Sequence, residues 1–358
     1  MNRVLGVCNT HYQVLVAIQL KLTVYNDSEF DIIITDIVSN AANVVEMLRK
    51  IGIFSKVMHV KVAHMSFTGF TINDLNVFFK KAMDNDINNV LTEKNRYKEY
   101  LFSNIGGYGT RLGRYVKKYS PKVKFSMFED GLSSYSNLYG NTIKEFKRER
   151  VNKLNLKKFA SLIKRKILGA ILAEVSTYWV FRPDVLVWDC DIAKQIPSIE
   201  NNKEELKNIL NQLYDYENMQ DKEIGKVIFF EESYVADGID ISDVDLVKTM
   251  ESIYSKENIF IKRHPRSKIN RFGELGYTTN KDYSVPWEVI ALNMELNDKV
   301  LVTISSTAVA NTFLLLNSDC KMIFKVSCIE NIENERIKYT IEVIRNINKK
   351  YPNSIEVC

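Results

Sequence analysis

Residues 299–316 read KVLVTISSTAVANTFLLL, and this one stretch sets the fold class. Lys299–Ile304 is an apolar, β-branched run of strand length, Ser305-Ser306-Thr307 follows it, and Ala308–Leu316 has the apolar content of a buried helix. A strand that passes through a hydroxyl turn straight into a helix is half of a parallel βαβ unit. The same alternation recurs on both sides. Upstream, strands are predicted over Val4–Val7, Phe30–Thr35, Tyr100–Phe102, Lys122–Met127 and Asp184–Val187, with helices over Gln13–Leu22 and Ala41–Ile51. Downstream, strands are predicted over Lys226–Phe230, Asn258–Lys262 and Lys321–Phe324, with a further helix over Asp243–Tyr254. The polar stretch Ile199–Lys226 separates the two series. The expectation is an α/β protein with two Rossmann-like domains facing across a cleft: residues 1–198, a linker helix over 199–225, and residues 226–358.

Composition agrees. The chain has 358 residues, 46% of them hydrophobic, enough for two cores. Glycine and proline total only 20, which excludes a collagen-like or low-complexity chain. A net charge of +5 falls short of a dedicated nucleic-acid binder, so no nucleic-acid partner is expected. Cys8, Cys190, Cys320, Cys328 and Cys358 are scattered, with no CxxC pair, which argues for neither a zinc site nor a disulfide framework and fits a reducing cytoplasm. The N-terminal residues lack a signal-peptide pattern. No run reaches the ~18–20 apolar residues of a membrane span. The nearest, Leu168–Phe181, is interrupted by Glu174, Ser176 and Thr177. The segment Lys144–Lys166 stands apart, with ten Lys/Arg against Glu145 and Glu149, and Leu154, Leu156, Phe159, Leu162, Ile163 and Ile167 at broadly helical spacing. It reads either as a solvated surface helix or as a patch that meets anionic lipid, which would place the protein at the inner face of a membrane.

Ligands in open α/β sheets bind at the carboxyl ends of strands, and four such ends carry chemistry. The strand near Lys122–Phe128 ends in Glu129-Asp130-Gly131, a turn that can present a carboxylate as a general base, although Asp-Gly is also an ordinary turn dipeptide. Strand Asn258–Lys262 ends in Lys262-Arg263-His264-Pro265-Arg266, where a histidine among cations can bind an anion or give a proton to a leaving phosphate. Ser305, Ser306 and Thr307 at a helix start form a phosphate seat without a glycine loop, where a plain N-cap would need one hydroxyl. In Pro286-Trp287-Glu288, Glu288 falls in a first helical turn and can accept from vicinal ribose hydroxyls. The first strand leads into Asn9, Thr10 and Gln13, and the strand at Tyr100–Phe102 into Asn104 and a glycine-rich turn that matches neither a dinucleotide fingerprint nor a Walker motif. Asp189-Cys190-Asp191 and Asp243-Val244-Asp245 have the DxD spacing of some metal-dependent transferases, a weak signal; no metal is expected.

Taken together, Glu129-Asp130-Gly131, Lys262-x-His264-Pro265, Pro286-x-Glu288 and Ser305-Ser306 resemble the motifs of the bacterial sialyltransferases, and look most like glycosyltransferase family 52, which acts in lipooligosaccharide and capsule synthesis. The resemblance implies a GT-B architecture, with an acceptor-side N-terminal domain and a nucleotide-donor C-terminal domain. It implies an inverting, metal-independent and cofactor-free transfer from CMP-sialic acid to a terminal galactose of a cell-surface glycan, with an α-2,3 linkage. His264 would be the acid and Asp130 the base, with Glu129 second. Ser305, Ser306 and Thr307 would hold the phosphate, Glu288 the ribose, and Lys262 and Pro265 would lie by the nucleotide. Asn9, Thr10, Gln13 and Asn104 would line the sialic acid pocket. Carboxylates after Lys226–Phe230 make Asp237 a reserve base. A polysialyltransferase or other capsule nucleotide-sugar transferase, a non-catalytic nucleotide- or glycan-binding protein, and a homodimer stay open.

Overall fold

A computed structural model describes residues 2–62, 91, 94, 96–103, 108–149 (backbone only for 145–149), 171–216, 224–234, 241, 243–267, 269–282, 285–316, 318 and 320–358. The chain forms two compact units. The first comprises Met1–Asp130, Asn137–Pro183 and Asp189–Pro197; the second comprises Gly131–Ser136, Asp184–Trp188 and Ser198–Cys358.

In the first unit, β1 (Arg3–Cys8), α1 (His11–Leu22), β2 (Glu29–Thr35), α2 (Ala41–Ile51), β3 (Lys56–Val60), β4 (Glu99–Phe102), α3 (Tyr108–Tyr119), β5 (Lys124–Phe128), α4 (Asn137–Glu149), β6 (Val175–Val180) and β7 (Ala193–Gln195) follow in order. The strands form a seven-stranded sheet in the order β3-β2-β1-β4-β5-β6-β7. Each pairing is parallel. Because Val4, Leu5, Val7, Ile32, Ile34, Leu101 and Met127 are all but fully enclosed, these strands read as continuous apolar runs rather than alternating ones. Strand order reverses between β1 and β4, which makes the space beyond Cys8 and Phe102 the expected ligand crevice of this sheet.

In the second unit, α5 (Lys203–Tyr214) leads into β8 (Val227–Phe230), α6 (Asp243–Tyr254), β9 (Ile259–Lys262), α7 (Arg271–Glu274), β10 (Thr278–Thr279), α8 (Trp287–Leu292), β11 (Val300–Thr303), α9 (Thr307–Leu316), β12 (Lys321–Phe324), α10 (Glu335–Lys350) and β13 (Ile355–Val357). Their sheet has the order β10-β9-β8-β11-β12-β13, again with parallel pairings. Here the order reverses between β8 and β11. Val227, Phe229, Val247, Ile259, Ile261, Phe272 and Val302 form its core on one face. The 199–225 stretch does not stand free as a linker: α5 buries Leu206, Leu210 and Leu213 within the second unit.

The expected strand over Asp184–Val187 is a short 3-10 turn at Pro183–Val185 instead. Pro183 has no N–H for a ladder, and the Val187 N–H goes to the Tyr135 carbonyl rather than to a neighbouring strand. The strand lies earlier, in the interrupted apolar run, where Val175–Val180 forms β6. The edge strands β3, β7, β10 and β13 had no clear signal: β7 is three residues with two exposed, and β10 is two residues.

Candidate active site

The first half of the site is assembled on the β1 and β5 ends. Thr10 caps α1, its side chain accepting from the Gln13 N–H at 3.1 Å. Gln13 is fully buried and fixed at both ends of its amide: Oε1 accepts the Asn9 N–H at 2.6 Å, so Nε2 faces Asp130 and donates to its Oδ1 at 2.7 Å. The Thr10 hydroxyl reaches the same oxygen at 3.5 Å. Asn9 is held from behind by the Thr35 hydroxyl at 3.0 Å. Asp130 stays partly exposed, yet burial raises its pKa to about 6 against the opposing hydrogen bonds from Gln13 and Thr10. Desolvation therefore wins over two donors, and the group titrates in the range that suits a base near neutrality.

Glu129 has another environment. It is wholly enclosed, takes a short hydrogen bond from the Tyr12 hydroxyl, and takes the Phe181 N–H at 2.7 Å. Both oxygens brace the β5 end against α1 and the end of β6. Gly131 turns the chain with φ +71°, and a Cβ there would meet Thr307 Cγ2 at 2.6 Å. Both features demand glycine. Gly131→Ala is expected to cost about 2–4 kcal/mol, from the left-handed backbone and the overpacking together. Thermal denaturation checks it: Thr307→Ser in the same background removes Cγ2 and should recover the packing part while leaving the backbone part.

The second half lies on the ends of β8, β9 and β11. Two successive N–H groups past β9 are caught by side chains: Arg263 N–H by Asn280 Oδ1 at 2.7 Å and His264 N–H by Glu231 Oε2 at 3.0 Å. Glu231 is itself clamped by Arg271 at 2.9 Å, and Arg271 also takes Asp243 at 2.7 Å. The His264 ring accepts the Arg266 N–H on Nδ1 at 3.1 Å, which leaves Nε2 to present its N–H. His264 is half-buried, and Pro265 and Arg266 are exposed beside it. Lys262 is almost fully enclosed; burial lowers its pKa to about 8 although Glu288 and Asp282 favour its charged form. Glu288 is buried in the first turn of α8, its pKa raised by burial, and accepts Asn311 Nδ2 at 2.7 Å.

Between β8 and β11 sits Glu232. Its Oε1 takes the Thr303 hydroxyl at 2.7 Å and the Ser305 N–H at 2.8 Å. Ser305 Oγ pairs with the Tyr234 hydroxyl at 2.5 Å, the Ser306 N–H goes to Thr303 Oγ1 at 2.9 Å, and Ser306 Oγ takes the Ala308 N–H at 3.3 Å. The hydroxyl turn is thus an ordered cradle, with Thr307 opening α9.

The structure brings Asn9, Thr10, Gln13, Glu129 and Asp130 together in the first unit. In the second it gathers Lys262, His264, Pro265, Glu288, Ser305, Ser306 and Thr307 at neighbouring strand ends. Asn104, Asp237 and nearly all of the 144–166 basic segment lie outside the described residues. Of the DxD pairs, Asp189 and Asp191 are exposed, while Asp243 is buried in its ion pair with Arg271. The supporting residues Glu231, Glu232, Arg271, Asn280 and Asn311 carried no motif in the sequence; only the two glutamates, as a carboxylate pair at a strand end, gave any signal.

A crystal structure of an alpha/beta-galactoside alpha-2,3-sialyltransferase from the luminous marine bacterium Photobacterium phosphoreum is similar in fold, with TM-score 0.53 and 14% identity over 99% of this chain and 98% of that one. The calicheamicin glycosyltransferase CalG4 is similar with TM-score 0.53 and 8% identity, over 100% of this chain and 85% of that one. The two parallel-sheet units therefore have the GT-B glycosyltransferase fold. The family model of the alpha-2,8-polysialyltransferases matches residues 5–319, and the chain belongs to that family of sialyltransferases. No curated protein sequence matches it. Among the described residues, no helix is long and apolar enough to cross a membrane.

Proposed function

We propose that the protein transfers sialic acid from CMP-sialic acid to a glycan acceptor in one inverting displacement, without a metal. The observation that carries this reading is the family match over residues 5–319, a span that contains the Glu129-Asp130-Gly131 turn, the His264 turn, Glu288 and the Ser305-Ser306 cradle. Breaking the glycosidic bond builds positive charge on the sugar and negative charge on the phosphate. Ser305, Ser306 and Thr307, the first turn of α9 and the Nε2–H of His264 supply donors for that negative charge. His264 gives its proton to the departing phosphate. Asp130, ionised above about pH 6, takes the acceptor's hydroxyl proton. Glu288, oriented by Asn311, accepts the ribose hydroxyls, and Lys262 with Pro265 flanks the base. Asn9, Thr10 and Gln13, which order the Asp130 turn, line the sugar side.

The family match favours an α-2,8-linked sialic acid chain as acceptor over a terminal galactose taken in α-2,3 linkage. The experiment is incubation with CMP-sialic acid and a panel of fluorescent lactosides and oligosialic acid primers in EDTA, with products resolved by length. A ladder grown on oligosialic primers is the expected result. A single addition to lactosides would move the protein to the galactose reading. No transfer to any acceptor, with no donor hydrolysis, would leave a binding protein.

A further inference from the structure

We propose that Glu232 belongs to the phosphate seat and takes up one proton from solvent when the nucleotide phosphate enters, meeting it as a carboxylic acid. This rests on the reading of Ser305-Ser306 as that seat.

Glu232 follows β8 at the point where strand order reverses, directly beside β11. It is only 9% exposed. Both of its protein hydrogen bonds, from Thr303 Oγ1 and the Ser305 N–H, fall on Oε1. Oε2 receives none among the described residues, yet it is not one of the fully enclosed unbonded atoms, so it retains a way out at the strand end. One oxygen builds the cradle and the other looks into it.

The surroundings make that carboxylate a poor anion. The charged group acting on it among the described residues is Asp243 at the start of α6, which disfavours its ionised form. The nearby Arg271 is spent on Asp243 and on Glu231, the residue before it in the chain. Tyr234 contributes a neutral hydroxyl to the same turn through Ser305. Burial raises the Glu232 pKa to about 7, past the opposing hydrogen bonds from Ser305, Thr303 and Ser306. An incoming phosphate adds a second negative charge at short range, and like charges sharing a site drive one of them to protonate. With a proton on Oε2, the repulsion becomes an O–H donor aimed at the anion, and Oε1 keeps both bonds that order the turn.

Calorimetry of CMP binding at pH 8, in two buffers of different ionisation enthalpy, reads the proton directly. Wild type should take up about one proton per CMP, with its Kd rising about tenfold per pH unit above pH 7. Glu232→Gln keeps an acceptor for Thr303 and Ser305; it should bind CMP with no such uptake and a flat Kd from pH 7 to 9. CMP itself is already a dianion there, its second pKa being about 6. Cytidine, which lacks the phosphate, should bind without uptake. His264→Ala should keep the uptake, and this variant decides the matter should Glu232→Gln melt early. Uptake that survives in Glu232→Gln, vanishes in His264→Ala or accompanies cytidine overturns the proposal. Wild type that binds CMP with no uptake overturns it alone; wild type that binds no CMP overturns the nucleotide reading as well.

Discussion

His264→Ala is expected to lower turnover with CMP-sialic acid on the order of 10²–10⁴-fold while changing CMP affinity far less. A proton donor to a leaving phosphate acts as the bond breaks, so its contribution falls on kcat rather than on ground-state binding. The geometry makes the test clean. The turn is held through the His264 backbone N–H on Glu231 and the Arg263 N–H on Asn280, and alanine keeps both. What is lost locally is the ring's acceptance of the exposed Arg266 N–H. Melting curves should therefore stay close to wild type. A fall in Tm that accounts for the fall in activity would mean that the imidazole serves the fold and not the reaction.

Asp130→Asn is expected to cost a similar factor with donor binding nearly intact. Wild-type kcat/KM should rise with pH through about 6, because the base must be ionised, and the variant should lose that limb. Stability moves the other way. A carboxyl whose pKa is raised by folding holds its proton more tightly in the native state, so stability falls as pH rises from about 4 to about 6. At neutral pH the buried charge is a cost that asparagine does not carry, and Gln13 Nε2 can still donate to its Oδ1. The variant should be dead and at least as stable as wild type, a combination that a purely structural Asp130 would not produce.

The strand–turn–helix units were legible because both sheets are parallel and buried on two faces, which writes each central strand as a solid apolar run: Phe30–Thr35 and Lys321–Phe324 match observed strands to within a residue. Edge strands have no such constraint, so Ala193–Gln195 and Thr278–Thr279 left no pattern, and Asp184–Val187 imitated one although Pro183 opens a turn there. At the site, the groups at strand ends could be read because topology alone puts them together. The sequence could not separate Glu129 from Asp130. They are adjacent in the chain, and the difference is tertiary: Tyr12 and the Phe181 N–H enclose one, and the Gln13 amide steers the other outward. Nor could it reveal that Glu231 and Arg271 anchor the histidine turn, since those partners are 40 residues apart.

The transfer rate of Asp130→Asn at saturating donor, measured beside Asp237→Asn, bears most directly on the assignment of the base to the first unit. The expected result is that Asp130→Asn loses ~10²–10⁴ of the wild-type rate while Asp237→Asn keeps it. An active Asp130→Asn with a dead Asp237→Asn would place the base in the second unit, and wild-type rates in both would contradict acid–base transfer at this site altogether.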